Sequence, residues 1–175
     1  MEKGMELINI MKSRRSIRAY KPDIPVTKEQ IRIILDAAMH APSACNTRPW
    51  EFIAITDRDM LNRIADAHEY AQMVRTAPLA IIVCALPDTQ SGIAMNFWPQ
   101  DCGAVTENIL IAAQALGLGS CWCGVCPNEA RMATMRGILG IPQNVLPFNV
   151  IAIGTPNENP PARGGYDDNK VRVIE

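Results

Sequence analysis

The unbroken apolar run from Leu79 to Leu86 constrains this chain more than any other segment. It is rich in β-branched residues and has no polar position at alternate places, so it should form a strand buried on both faces. It is the longest apolar run in the sequence and far too short to span a bilayer. A length of 175 residues, 48% apolar and 20% charged, suits one soluble globular domain, 1–175, with enough chain for a core. Residues 1–12 carry Glu2, Lys3 and Glu6 where a secretory leader would be apolar. An intracellular, cytoplasmic protein is therefore expected.

Around that strand the pattern mixes helices and strands. Met5, Ile8 and Met11 recur at helical spacing, with Leu7 and Ile10 alongside, which predicts a first helix over 2–12. Thr27 and Gln30 form a capping box, with Val26 and Ile31 as a hydrophobic staple, ahead of a helix that stops before Pro42. Phe52 to Thr56 reads as a strand, and Asp57 as the N-cap of a short helix. Residues 88–99 should be a loop or a short helix. Asp101 to Leu116 is an apolar-striped helix with Gly117 at its C′ position. A short strand over 119–123, a helix from Asn128 to Gly140 and a strand over 148–153 follow. The tail, 155–175, holds too many Pro and Gly residues for a packed element; it should be disordered or lie across a partner's surface. No GxGxxG follows a strand, which argues against a dinucleotide-binding Rossmann domain.

Charge is unevenly placed. Lys12, Arg14, Arg15, Arg18 and Lys21 cluster ahead of Asp23, the next acid, on a chain whose net charge is only −1. One small basic cluster on an otherwise acidic protein suits a compact anion; a polyanion needs a broader field. Arginine brings a planar bidentate fork, and Ser16 a neutral donor between the arms. By itself such a run is more often a solvated surface. A nucleic-acid-binding role is disfavoured by a pI near 6.1 and 5% aromatic content. Of the six cysteines, Cys45, Cys84 and Cys102 should behave as small hydrophobes. Cys121, Cys123 and Cys126 are close in sequence but lack a fourth ligand, and His40 and His68 are far away, so no metal is expected.

Two further stretches matter. Residues 41–50, from Ala41 through Pro42, Ser43, Ala44, Cys45, Asn46, Thr47, Arg48 and Pro49 to Trp50, form a polar loop between prolines. Gly117, Gly119 and Gly124 then space a segment whose backbone something flat could approach. Either could be an ordinary connection. Together, in this order, the three stretches resemble the nitroreductase family of FMN-dependent oxidoreductases. Residues 14–18 look like that family's Arg-x-Ser-x-Arg/Lys start. Residues 42–50 look like its Pro-Ser-x-x-Asn-x-Gln-Pro-Trp loop, with Arg48 in place of the usual Gln. Residues 101–124 look like its Asp-x-Gly-Ala to Gly-Ser-Cys-Trp segment. The resemblance runs from about Ile8 to Arg163.

That resemblance implies an α+β fold with a central, mostly antiparallel sheet flanked by helices, in an intertwined homodimer with two FMN sites at the interface. It implies that Arg14, Arg15 and Ser16 hold the phosphate and ribityl region, with Arg163 on the phosphate. Arg18 would sit by the N1–C2 carbonyl edge of the flavin ring. Pro42, Ser43 and Ala44 would cover the ring from the other subunit, and Asn46 would shape that loop or meet the ring's polar edge. Near Gly124 and Val125 a backbone N–H would point at flavin N5. Cys121, Cys123 and Cys126 would be small side chains along the flavin's approach. Arg48 could strengthen anion binding or pair with Glu51 or Asp57. The flavin would carry the chemistry, with no catalytic side chain, NADH or NADPH as reductant and a small-molecule acceptor. A flavin-binding or flavin-remodelling protein with little nicotinamide turnover is the alternative.

Overall fold

The computed structural model describes residues 2–161 and 163–175. Four strands form one antiparallel sheet in the order β1-β2-β4-β3: β1 is Trp50–Ile55, β2 Leu79–Ala85, β3 Gly119–Gly124 and β4 Leu146–Gly154. Five helices accompany them: α1 Glu2–Ser13, α2 Lys28–Met39, α3 Arg58–Ala67, α4 Trp98–Ala115 and α5 Glu129–Leu139. The α+β architecture and the antiparallel sheet are as expected.

β2 is buried at every position and divides the interior in two. Its odd residues Leu79, Ile81 and Val83 join Ile34 and Ala38 of α2 and Val105 and Ile109 of α4. Its even residues Ala80, Ile82 and Cys84 join Leu61 and Ile64 of α3 and Met135 of α5. Period-two alternation thus puts one strand in two cores, and that is why its sequence shows no polar positions.

Local chemistry sets most helix ends. Thr27 and Gln30 form the expected reciprocal box on α2, Asp57 caps α3 and Asn128 caps α5. At the end of α4, Gly117 sits at φ 73°; its N–H donates to Gln114 O and that of Leu118 to Ala113 O, which completes a Schellman motif. α4 begins three residues earlier than predicted. Pro99 lies in its first turn, where a missing N–H is harmless, and the Trp98 N–H is taken by Gln90 Oε1 at 2.8 Å. A 3₁₀ segment, Glu69–Arg75, was not foreseen; Arg58 ties down its end by donating to the carbonyls of Val74, Arg75 and Ala77.

The first helix is where it was expected, whereas the tail needs correction. Met5, Leu7, Ile8 and Met11 on α1 are helical but exposed, so this chain alone does not cover that face. The start of the tail is neither disordered nor undocked: 155–161 runs back along residues 15–21 of its own chain, with Lys21 N–H on Thr155 O (3.0 Å) and Asn157 N–H on Ala19 O (2.8 Å). Residues 15–21 are in turn seated against β3, where Gly119 lets them come close. A Cβ on Gly119 would lie 2.8 Å from Ile17 Cβ. Gly119→Ala should therefore destabilise the fold by about 1–3 kcal/mol through overpacking. Gly137→Ala, in α5 with nothing within 4 Å of the new Cβ, should stabilise it by about 0.5–1 kcal/mol. Urea unfolding of both variants checks the contrast.

Candidate functional site

The basic segment acquires its shape from partners on both sides. Towards the sheet, Ile17 N–H donates to Ser120 O at 2.9 Å, Ser16 bridges Ser120, and the Ile17 side chain enters the core. The buried Tyr20 hydroxyl lies 2.6 Å from Ile17 O and 3.1 Å from Ala152 O. Burial, and then the Cys121 and Cys123 thiols, push that hydroxyl's pKa up, so it stays protonated. Towards the tail, the Glu158 carboxylate accepts from the N–H groups of both Arg18 and Ala19. The Arg15 guanidinium is fixed by the carbonyls of Lys12 (2.7 Å), Arg14 (2.6 Å) and Pro161 (3.1 Å).

The result is a cleft of about 350 Å³ lined by Arg14, Arg15, Ser16, Arg18, Pro160, Arg163 and Gly164. Four guanidinium groups and a hydroxyl line one space, and among the described residues its lining holds no carboxylate. Glu107, half-exposed and outside that lining, pairs with Arg14 at 3.6 Å, and solvent screens the pair. On the strand behind, the adjacent Cys123 thiol draws Cys121 below the ordinary thiol value against the upward push of burial, with a smaller pull from Arg18 and Arg14. Arg163, far along the chain, joins the cleft because the tail docks.

The loop after α2 is built separately. Asp101, buried in the first turn of α4, accepts from Ala44 N–H (3.0 Å) through one oxygen and from Gln90 Nε2 (2.7 Å) through the other. Gln90 Nε2 also reaches Thr47 Oγ1, and Ser43 Oγ accepts from Arg48 N–H. These bonds hold Cys45, Asn46 and Arg48 at positive φ, near 50°, where non-glycine residues are uncommon. Arg48 is paired with neither Glu51 nor Asp57; it donates to Asn46 Oδ1 at 3.1 Å. Pro42, Ser43, Ala44, Asn46 and Arg48 do not line the arginine cleft of their own chain.

At the end of β3 the structure separates two residues that the sequence grouped. The Val125 N–H donates to Phe148 O at 3.0 Å and its side chain is fully buried. Successive residues of an antiparallel ladder face alternate edges, so Gly124 directs its N–H and carbonyl to the open side. The carbonyl accepts from His68 Nε2 at 2.9 Å and Arg131 Nη1 at 3.1 Å. The cysteines also differ from expectation. Cys121 and Cys123 point into the core, not along an approach, because both share the inward face of β3, and Cys45 is exposed. Among the described residues no cluster of three or more His, Cys, Asp or Glu side chains could hold a metal.

Of the residues singled out in the sequence, the fold unites Arg14, Arg15, Ser16, Arg18 and Arg163. Glu158, Asp101, Gln90, His68 and Arg131 were missed as organisers. Asp101 had a signal, its place in the motif at 101–124; Glu158, Gln90 and His68 act on groups remote in sequence, and Arg131 on a carbonyl that only the strand edge exposes. His68 yields a pH test. Burial holds its imidazole below the ordinary value, reinforced by Arg131 and opposed by the bond to Gly124 and by Glu69. Neutral, it donates from Nε2, while Nδ1 accepts from Tyr70 N–H. The unfolded chain takes up the proton first, so this contribution to stability is complete above about pH 6.5. It should fall below that pH, by at most about 1.4 kcal/mol per unit, until the lowered folded value is passed. Urea unfolding between pH 7.5 and 5.5 should show this slope in the wild type and a shallower one in His68→Gln.

Comparison with known proteins follows the same outline. The sequence model of the nitroreductase family matches residues 11–69 and 66–155. A protein of Methanothermobacter thermautotrophicus, provisionally named NADH dehydrogenase/NAD(P)H nitroreductase, is 46% identical over 97% of this chain and 87% of its own length. The structure of an FMN-dependent nitroreductase from Clostridium difficile superposes with a TM-score of 0.87 at 32% identity, covering 96% of this chain and 99% of that one. A Desulfovibrio desulfuricans structure, described provisionally as a nitroreductase in complex with FMN, gives 0.84 at 31% identity, covering 97% and 96%. No helix among the described residues is long and apolar enough to cross a membrane. With a family match over most of its length and close relatives in sequence and fold, the chain belongs to the nitroreductase family.

Proposed function

We propose that the protein is a cytoplasmic FMN-dependent NAD(P)H oxidoreductase, one domain per subunit, working as a homodimer. The observation that carries this reading is the convergence of Arg14, Arg15, Ser16, Arg18 and Arg163 on one cleft in a nitroreductase fold. The cofactor suits the residues present. A phosphate is a dianion with several acceptor oxygens, and this cleft offers cationic donors without competing carboxylates. Six free thiols accord with a reducing compartment.

In this reading Arg14, Arg15, Ser16 and Arg163 hold the phosphate and ribityl end. Arg18 places a cation at the N1–C2 carbonyl edge, where negative charge gathers in the reduced cofactor. Gly124 presents its N–H towards N5, and His68 and Arg131 keep that edge of β3 in place. When bound, FMN would supply the redox chemistry, a ping-pong hydride transfer between NADH or NADPH and a nitroaromatic, quinone or similar acceptor. No acid, base or nucleophile of the protein is required.

A second copy completes the site. Pro42, Ser43, Ala44 and Asn46 lie outside the cleft of their own chain, and in this reading the partner's copy of that loop covers the flavin ring. Exposed Met5, Leu7, Ile8 and Met11 on α1, with Ile93 and Phe97 ahead of α4, supply apolar surface for an obligate interface, of the kind that exceeds about 2,000 Å². Arg48 stays exposed on the same loop, where it can meet an anionic group of the acceptor.

The purified protein should be yellow, and NADH or NADPH should bleach it under nitrogen. A yellow protein that neither reductant bleaches supports the flavin-carrier alternative instead. Arg14→Ala should weaken FMN binding about 10- to 100-fold, the loss of one charge-assisted hydrogen bond. Arg18→Ala should chiefly lower the flavin's reduction potential. Equal affinity losses with unchanged potentials would remove the assignment of the two arginines, and a monomer that still holds FMN tightly would remove the shared site.

A further inference from the structure

We propose that Glu158 is a positioning residue: its carboxylate latches the tail onto the basic segment so that Arg163 stands in the anion cleft. This rests on the reading of the cleft as the phosphate site. The backbone pairing between 15–21 and the tail has rungs at Lys21–Thr155 and Ala19–Asn157, and then stops. The next rung would need Ile17, but its N–H is turned the other way, to Ser120 O. Glu158 takes over at that point, its carboxylate accepting from two consecutive N–H groups, those of Arg18 and Ala19. Successive amides of this kind form a small anion-binding concavity, and nearby Arg18 adds favourable charge.

Beyond Glu158, the described residues leading to Arg163 have one further tie to the basic segment, Arg15 Nε on Pro161 O at 3.1 Å. The walls contributed by the tail, Pro160, Arg163 and Gly164, all come after the latch. Glu158 itself does not line the cleft, so it does not compete with an incoming phosphate. Its carboxylate meets the backbone of Arg18 and Ala19, so it fixes the segment that carries the arginines without filling the cleft. An acid in a proline-rich tail thereby governs how often the cleft is complete.

Opening the latch should lower apparent affinity by the fraction of molecules that keep Arg163 in place. Affinities for FMN and for riboflavin, which lacks the phosphate, are measured on the full chain, with amide hydrogen exchange on the flavin-free protein. Glu158→Ala should weaken FMN about 10-fold while riboflavin binding changes less than about 2-fold. Glu158→Gln, which keeps an acceptor oxygen, should stay within about 3-fold of wild type. Arg163→Ala should also weaken FMN, and adding Glu158→Ala to it should cost no more than about a further 2-fold, because both changes remove one arm of the site. Exchange at Asn157 and Lys21 should quicken in Glu158→Ala while β4 amides stay protected. Multiplicative losses in the double variant, an equal loss for riboflavin, or unchanged exchange would each overturn the latch. If Arg163→Ala weakens FMN and Glu158→Ala does not, the latch alone fails. If Arg163→Ala leaves FMN affinity untouched, the phosphate reading of the cleft fails and takes the proposal with it.

Discussion

Residues 16–20 lie between two strips of backbone that are remote from them in sequence, the outer edge of β3 and the first residues of the tail. Ile17 N–H on Ser120 O, with Gly119 leaving room for the Ile17 side chain, joins this segment to the sheet. Once Ile17 is held, Arg14, Arg15 and Arg18 project to the surface from a rigid support. Without that seat the same arginines would be a mobile basic run, and a mobile run binds phosphate only after the entropy of ordering it has been met.

Bringing four guanidinium groups to one cleft is unfavourable by itself. Like charges a few ångströms apart repel by about 1–4 kcal/mol per pair at the effective dielectric of a protein surface. The fold offsets this with oxygens placed behind the cations: the carbonyls of Lys12, Arg14 and Pro161 on Arg15, and the Glu158 carboxylate beside Arg18. Excess positive potential remains on the open side, which is what an anion-binding site requires.

β3 is an edge strand, and its open edge is covered at two points. At Ser120 the basic segment covers it; at Gly124 the side chains of His68 and Arg131 bind the outward carbonyl. An uncovered edge invites pairing with other chains, so this covering also protects against aggregation. The loop after α2 is organised by different means. Buried Asp101 and Gln90 satisfy its backbone and hold three non-glycine residues in the left-handed region. Strain of that kind persists where surrounding bonds over-determine it, and it is common at functional loops.

The sequence alone determined the elements whose signals are local. The capping box at Thr27, the caps at Asp57 and Asn128, the Schellman end at Gly117 and the doubly buried strand β2 all depend on residues a few positions apart, or on a single apolar run. The arginine cluster was legible for the same reason, since charge density along a chain needs no fold to be read. Pro99 misled because a proline that breaks a helix interior is harmless in a first turn. Only the tertiary structure decided that the tail returns to residues 15–21, that Arg163 joins Arg14, that Glu158, Asp101 and His68 organise the groups around them, and that Cys121 and Cys123 face the core. Those pairings join residues from about 55 to 150 positions apart. No propensity or periodicity encodes such a pairing; it exists only when the packing of the whole sheet has brought its two ends together.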